Sequence, residues 1–306
     1  MKFLTIILIV SLSFLGLVSF SQPKPADVSN IKRKWLDISY ANLSQAQKLD
    51  IYLPEEGDGP FPVIISIHGG AFMFGDKADG QVNPMLKGLT RGYAVVSINY
   101  RMSGEALFPA NINDVKAAIR WVKANAAVYK LSPTHIALWG GSAGGNLAVL
   151  AGTSAGVKAL EDLTLGNDSQ SSSVRAVVDW FGPTNFLLMD EQLKKTGNGK
   201  PDHSKANSPE SKVFGKKITE IPAKVKMANP ETYITKDDPP FFIEHGTKDQ
   251  IVPTQQSVML YNTLKKVLGK KKVTLHLLEG AKHGGKEFET SENLERVFSF
   301  LDKVLK

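Results

Sequence analysis

Apolar and polar positions along this chain follow two rhythms. Six short runs, Val63 to Ile67, Ala94 to Ile98, Ile136 to Trp139, Ala176 to Trp180, Phe241 to Glu244 and Val273 to Leu277, are almost continuously apolar and rich in β-branched residues. That is the pattern of parallel strands covered on both faces. Between them lie helix-like stretches at Asn83 to Arg91, Ala110 to Asn125, Ser142 to Ala155, Pro253 to Leu268 and Ser291 to Val304. In the second of these, Ile112, Val115, Ile119 and Val122 recur at helical spacing and define one buried face. Two earlier segments, Lys34 to Tyr40 and Lys48 to Leu53, alternate polar and apolar residues as half-exposed antiparallel strands do. The pattern predicts an α/β fold: a wound, mostly parallel sheet with helices on both faces and functional loops at the carboxyl ends of the strands.

Two polar stretches interrupt the rhythm. Residues 156–173 contain Asn167-Asp-Ser-Gln-Ser-Ser-Ser173 and read as a mobile surface loop. Residues 185–236 fall between strands that should be neighbours and are rich in Lys, Pro, Gly and Ser. With only scattered Phe186, Leu187, Phe214 and Tyr233, that insertion has too little apolar content for a core of its own and is expected to be a small cap.

Composition narrows the class. A length of 306 residues suits one large globular domain. Lys2, an apolar run from Phe3 to Phe20 and the small residues Ser19 and Ser21 before Gln22 give residues 1–21 the form of a cleaved secretory signal, leaving 22–306 as the domain. The expected location is therefore secreted or periplasmic, without stable membrane association after cleavage. The chain has no Cys, which excludes disulfides, thiolate metal sites and a thioether lipid anchor. Its formal net charge of +7 falls by one when Lys2 is removed with the signal. Much of that excess sits in turns such as Lys270-Lys271-Lys272, with no interleaved aromatics, so a solvated surface is expected and not nucleic-acid binding.

The chemistry concentrates at Gly140-Gly141-Ser142-Ala143-Gly144, where an apolar strand meets a small-residue helix. A serine at the tip of such a tight turn needs glycine two positions to either side to avoid steric conflict. The helix start aims N–H groups and a positive dipole end at the same point, which suits a developing oxyanion. His68-Gly69-Gly70 ends the strand beginning at Phe61, and its glycine N–H groups can complete an oxyanion hole with that of Ala143. Further on, Asp249 follows the strand Phe241 to Glu244, and His283 follows the last strand. Ser142, Asp249 and His283 thus form a Ser–acid–His order, each just past a strand.

These residues carry a resemblance. With "HGGAFMFGDK", "VSINYRMSGEALFPANINDVKAAIRWVKANA", "GGSAGGNLAVLAG", "DDPPFFIEHGTKDQIVP" and "GAKHGG", the chain resembles α/β-hydrolase serine esterases over roughly residues 34–305. It is most similar to the bacterial secreted feruloyl and acetyl xylan esterases, and more distantly to hormone-sensitive-lipase-like esterases. The latter usually place Asp before the serine, where Gly141 stands here. The resemblance implies a carboxylic ester hydrolase acting on small esters or esterified plant polysaccharide, with no metal or cofactor. It leaves oligomeric state open.

Rival assignments remain at this point. His245 and His68 precede glycines at strand ends and fit loop bracing, with His68 also able to shape the oxyanion hole; His276 sits mid-strand, where core packing is expected. Asp179 is an alternative acid, and Ser142 could be a helix N-cap. Asn146 reads as structural, while Phe72, Trp180 and Phe181 are candidates for lining a substrate pocket or for the core. A prolyl-oligopeptidase-like peptidase shares the residue order but usually carries a large accessory domain and an aromatic residue after the serine, where Ala143 stands. A non-catalytic ligand receptor on the same scaffold would not need to keep all three side chains.

Overall fold

A computed structural model describes residues 24–306. The expected signal segment lies outside the described residues. The strands are β1 (Lys34–Ser39), β2 (Lys48–Tyr52), β3 (Phe61–Ile67), β4 (Ala94–Ile98), β5 (Leu131–Gly141), β6 (Ala176–Trp180), β7 (Phe241–Gly246) and β8 (Val273–Leu278). They form one sheet in the order β1-β2-β4-β3-β5-β6-β7-β8, in which β1 pairs antiparallel with β2, β2 antiparallel with β4, and the rest are parallel.

The apolar runs divide their side chains between two layers, as the strand period of two requires. Val63, Ile65, Ile67, Ile136, Leu138, Phe241 and Ile243 face one core, while Ile64, Ala137, Trp139, Val178 and Phe242 face the other. Helices α2 (Ala110–Ala124), α3 (Ala143–Thr153) and α7 (Gln255–Leu268) contribute to the first layer, and α8 (Ser291–Leu305) to the second. The helix expected over 83–91 is shorter: α1 spans Asn83–Leu86 and tightens into a 3₁₀ turn, Lys87–Arg91, that stops at Gly92.

β1 carries a bulge. Its register against β2 shifts between Trp35 and Ile38, and Asp37, at φ 57°, turns its N–H inward to Asp50 Oδ1 at 2.7 Å. Buried Lys77 reaches both Asp37 and Asp50 at 2.9 Å.

Chain order and sheet order part company around β3. From β3 the chain passes outward to β4, then returns to β5 on β3's other side. Loops leaving neighbouring strands in opposite directions open a crevice at the carboxyl end of the sheet. That puts the turn after β3, with Gly69 and Gly70, beside the turn after β5, with Ser142.

One of the two polar stretches differs from its sequence pattern. Residues 156–173 are anchored, not loose: Leu160 and Leu165 are buried, and Glu161 receives Arg120 at 3.2 Å and Lys116 at 3.7 Å, both cations fully buried. Residues 185–236 form three short α-helices, α4 (Met189–Thr196), α5 (Pro209–Phe214) and α6 (Pro222–Lys226), joined by 3₁₀ turns. Their Phe186, Met189, Val213, Phe214, Ile218 and Val225 join the main core layer and build none of their own.

Candidate active site

Steric exclusion explains the turn at Ser142. The serine sits at φ 56° and ψ −122°, a conformation L-residues avoid. A Cβ on Gly140 would stand 2.3 Å from Gly144 O, and one on Gly144 would stand 2.0 Å from Ile67 O, both unyielding backbone atoms. Ser142 is not a side-chain cap: its hydroxyl makes no cap bond to α3 and turns outward instead.

The hydroxyl meets a chain of partners. Ser142 Oγ lies 2.9 Å from His283 Nε2, and His283 Nδ1 lies 2.7 Å from Asp249 Oδ2. In the tautomer that satisfies both contacts, Nδ1–H donates to the carboxylate and Nε2 is free to take the serine proton. Asp249 is fully buried, with Oδ1 accepting the N–H groups of Ile251 at 2.8 Å and Val252 at 2.9 Å. Burial pushes its carboxyl up, but hydrogen bonds from His245 and His283 and their electrostatic attraction outweigh that and hold it well below the usual carboxylate range. The acid is therefore ionised whenever the imidazole needs a counter-charge.

The rival side chains find other work. Asp179 lies under the turn at Ser142, with Oδ1 accepting the Gly182 N–H at 3.0 Å and no bond to His283. Burial pushes its carboxyl up to about 7. His276 departs from the core role expected of it: it lies half-buried on edge strand β8, 3.1 Å from the buried Glu244. His68 stacks on Tyr100 with centroids 4.5 Å apart, and its Nδ1 contacts Gly69 O at 2.8 Å. Burial lowers its pKa and keeps the ring neutral, so Nδ1–H donates to that carbonyl and fixes the peptide plane leading to Gly70. Asn146 Nδ2 binds Pro183 O at 2.7 Å, tying α3 to the chain entering the insertion.

The expected oxyanion donors separate. The Gly69 N–H is already taken by Gln81 Oε1 at 2.8 Å, whose own amide is held by Asp79 Oδ2 at 2.9 Å. Gly70 lines the cleft beside Ser142, and Ala143 opens α3, where the first N–H groups of a helix have no internal acceptor. Gly70 and Ala143 are the donors that remain. Gln81 carried no sequence signal beyond a Gln in a turn.

Ser142 and His283 open into a cleft of about 460 Å³. Trp180 and Phe181 line it while also packing in the core, and Phe181, at φ 44°, sets its ring edge-on to His283 at 4.7 Å. Phe72 does not. Positive φ at both Ala71 and Phe72 swings that ring into the core against Phe186, 6.0 Å away. The rest of the wall includes Met73, Met85, Phe288 and, from the insertion, Pro209. The insertion is braced on the acid loop through buried His203, whose Nε2 contacts Ile251 O at 2.9 Å.

Fold and cleft define an α/β-hydrolase. The chain belongs to the BD-FAE family, whose model matches residues 49–264. Among curated relatives, the probable carboxylic ester hydrolase LipM of Mycobacterium tuberculosis is 32% identical over 251 residues, covering 80% of this chain and 56% of LipM. Esterase LipQ of the same organism is 35% identical over 226 residues, 72% of this chain and 50% of LipQ. Among solved structures, a bifunctional GH43-CE protein from Bacteroides eggerthii matches at TM-score 0.80 and 37% identity, over 90% of this chain and 35% of that one. A truncated carbohydrate esterase from gut microbiota matches at TM-score 0.80 and 35% identity, over 92% of this chain and 98% of its own. The chain thus spans about half the length of the curated relatives and about a third of the bifunctional protein.

Proposed function

We propose that this chain is a secreted or periplasmic serine carboxylic ester hydrolase that removes acetyl or hydroxycinnamoyl groups from plant polysaccharide or related small esters. The observation that carries the reading is the unbroken hydrogen-bond path from Ser142 through His283 to Asp249. A serine hydroxyl is a weak nucleophile, so His283 takes its proton as it attacks the ester carbonyl, and Asp249 steadies the imidazolium. Gly70 and Ala143 N–H groups receive the oxyanion, each worth about 3–4 kcal/mol in comparable sites. His283 returns the proton to the leaving alcohol, and water then repeats the cycle on the acyl-enzyme.

Similarity to carbohydrate esterases supports a sugar ester as substrate. The apolar wall of Met85, Trp180 and Phe288 gives an aromatic acyl group a surface to pack on. The leader over 1–21 is the basis for export. The test is a panel of p-nitrophenyl acyl esters, methyl ferulate, acetylated xylan and a prolyl amide, run with wild type and Ser142→Ala. Turnover of the sugar-linked esters, with kcat reduced about 10³- to 10⁶-fold in the variant, is expected. Full activity in Ser142→Ala, or preference for the amide, would overturn the reading.

A further inference from the structure

Beyond Asp249 the hydrogen-bond path continues inward. His245 is fully buried, as is Ser257 at the start of α7. His245 Nε2 lies 3.1 Å from Asp249 Oδ2 and 2.9 Å from Val252 O, and its Nδ1 lies 2.7 Å from Ser257 Oγ. Read from the cleft to the core, the side chains are Ser142, His283, Asp249, His245 and Ser257, two Ser–His pairs facing each other across one carboxylate.

The chemistry of the partners places a hydrogen on Nε2. Nε2 faces two oxygens that can only accept, so it carries the hydrogen. In the tautomer that keeps the hydrogen on Nε2, Nδ1 accepts from the Ser257 hydroxyl, and both ring nitrogens have a partner. A single carboxylate oxygen, Oδ2, thus receives N–H groups from two imidazoles on opposite sides. The groups facing His245, at the end of β7, are Asp249 on the loop that follows, His283 across the carboxylate, and Asp179 on the neighbouring strand within electrostatic reach. The inner pair never meets the cleft, so it cannot act on substrate.

We propose that His245, held by Ser257, is a positioning residue that fixes the Asp249 carboxylate and tempers its basicity toward His283. The inference rests on the reading above, in which Asp249 orients the catalytic imidazole. Without the inner N–H, Asp249 keeps its contact to His283 but turns more freely and presents more unshared charge. The extra charge stabilises the imidazolium, so the base is lost to protonation at a higher pH. The looser carboxylate aims the ring less well.

The experiment measures kcat, KM and the pH profile of kcat/KM with p-nitrophenyl acetate for wild type, His245→Leu, His245→Gln, Ser257→Ala and Ser142→Ala, alongside thermal unfolding. The far-downfield proton resonance of the His283–Asp249 bond is recorded for each. His245→Leu is expected to lower kcat about 10- to 100-fold with KM little changed, and to move the acid limb up by about half a pH unit. His245→Gln can offer an amide N–H to Asp249 and should recover most of both. Ser257→Ala should shift limb and resonance in the same direction, less far, and decides the matter if the leucine variant does not fold. A wild-type limb and resonance in a folded His245→Leu or in Ser257→Ala, with only unfolding temperature changed, would overturn the proposal. Activity retained in Ser142→Ala would instead overturn the esterase reading and leave the resonance comparison standing.

Discussion

At the scale of single residues, the turn at Ser142 tolerates almost no change, because its constraints are backbone atoms. Gly144→Ala would place a methyl 2.0 Å from Ile67 O. It can be accommodated only by moving β3 or the start of α3, and either motion displaces Gly70 or Ala143. Loss of about 10²-fold or more in kcat/KM is expected even in folded protein, checked by kinetics beside circular dichroism. The positions of Ser142, Asp249 and His283 were legible in the sequence because each follows an apolar strand run that ends at one edge of a parallel sheet. Phe72 was not, because nothing in the linear text says that Ala71 and Phe72 both take positive φ. Gln81 was equally hidden, since its hold on the Gly69 N–H comes from a turn geometry set by Asp79.

At the scale of elements, helix α2 shows where periodicity stops informing. Its apolar face, Ile112, Val115, Ile119 and Val122, is buried as the spacing implied. Yet Asp114, Lys116 and Arg120 are buried too, a second covered face that an amphipathic pattern assigns to solvent. Distant segments supply the cover. Asp114 accepts Arg101 and Gln47, and Arg120 reaches Glu161, Asp162 O and Gly166 O in the stretch read as a mobile loop. Arg120→Met should therefore destabilise the protein by about 3 kcal/mol, since it leaves the Glu161 carboxylate with only the more distant Lys116 and the Gly156 N–H. Urea unfolding at neutral pH measures this, and a change within about 0.5 kcal/mol would show that the loop contributes little.

At the scale of the whole molecule, two carboxyl groups near the site pull stability in opposite directions with pH. Asp249 is depressed by its donors, so its contribution is present above the ordinary carboxylate pKa and is lost as pH falls below it. Asp179 is raised to about 7 by burial, so between about 4 and 7 the folded protein holds a proton that the unfolded chain has released. Stability from that group falls as pH rises through the window. Asp179→Asn should remove this slope and leave the protein more stable than wild type above pH 7, with little difference at pH 4. Denaturant midpoints at both ends of the window are the check, and parallel curves for the two proteins would contradict the assignment.

The bulge in β1 has a consequence for how copies of this protein meet. An exposed flank of a sheet invites another chain to add a ninth strand, provided successive amides face outward in step. Asp37 breaks that step by directing its N–H back to Asp50, and Lys77 clamps the kink from inside. A visiting strand would find its ladder interrupted midway, which disfavours growth along that flank.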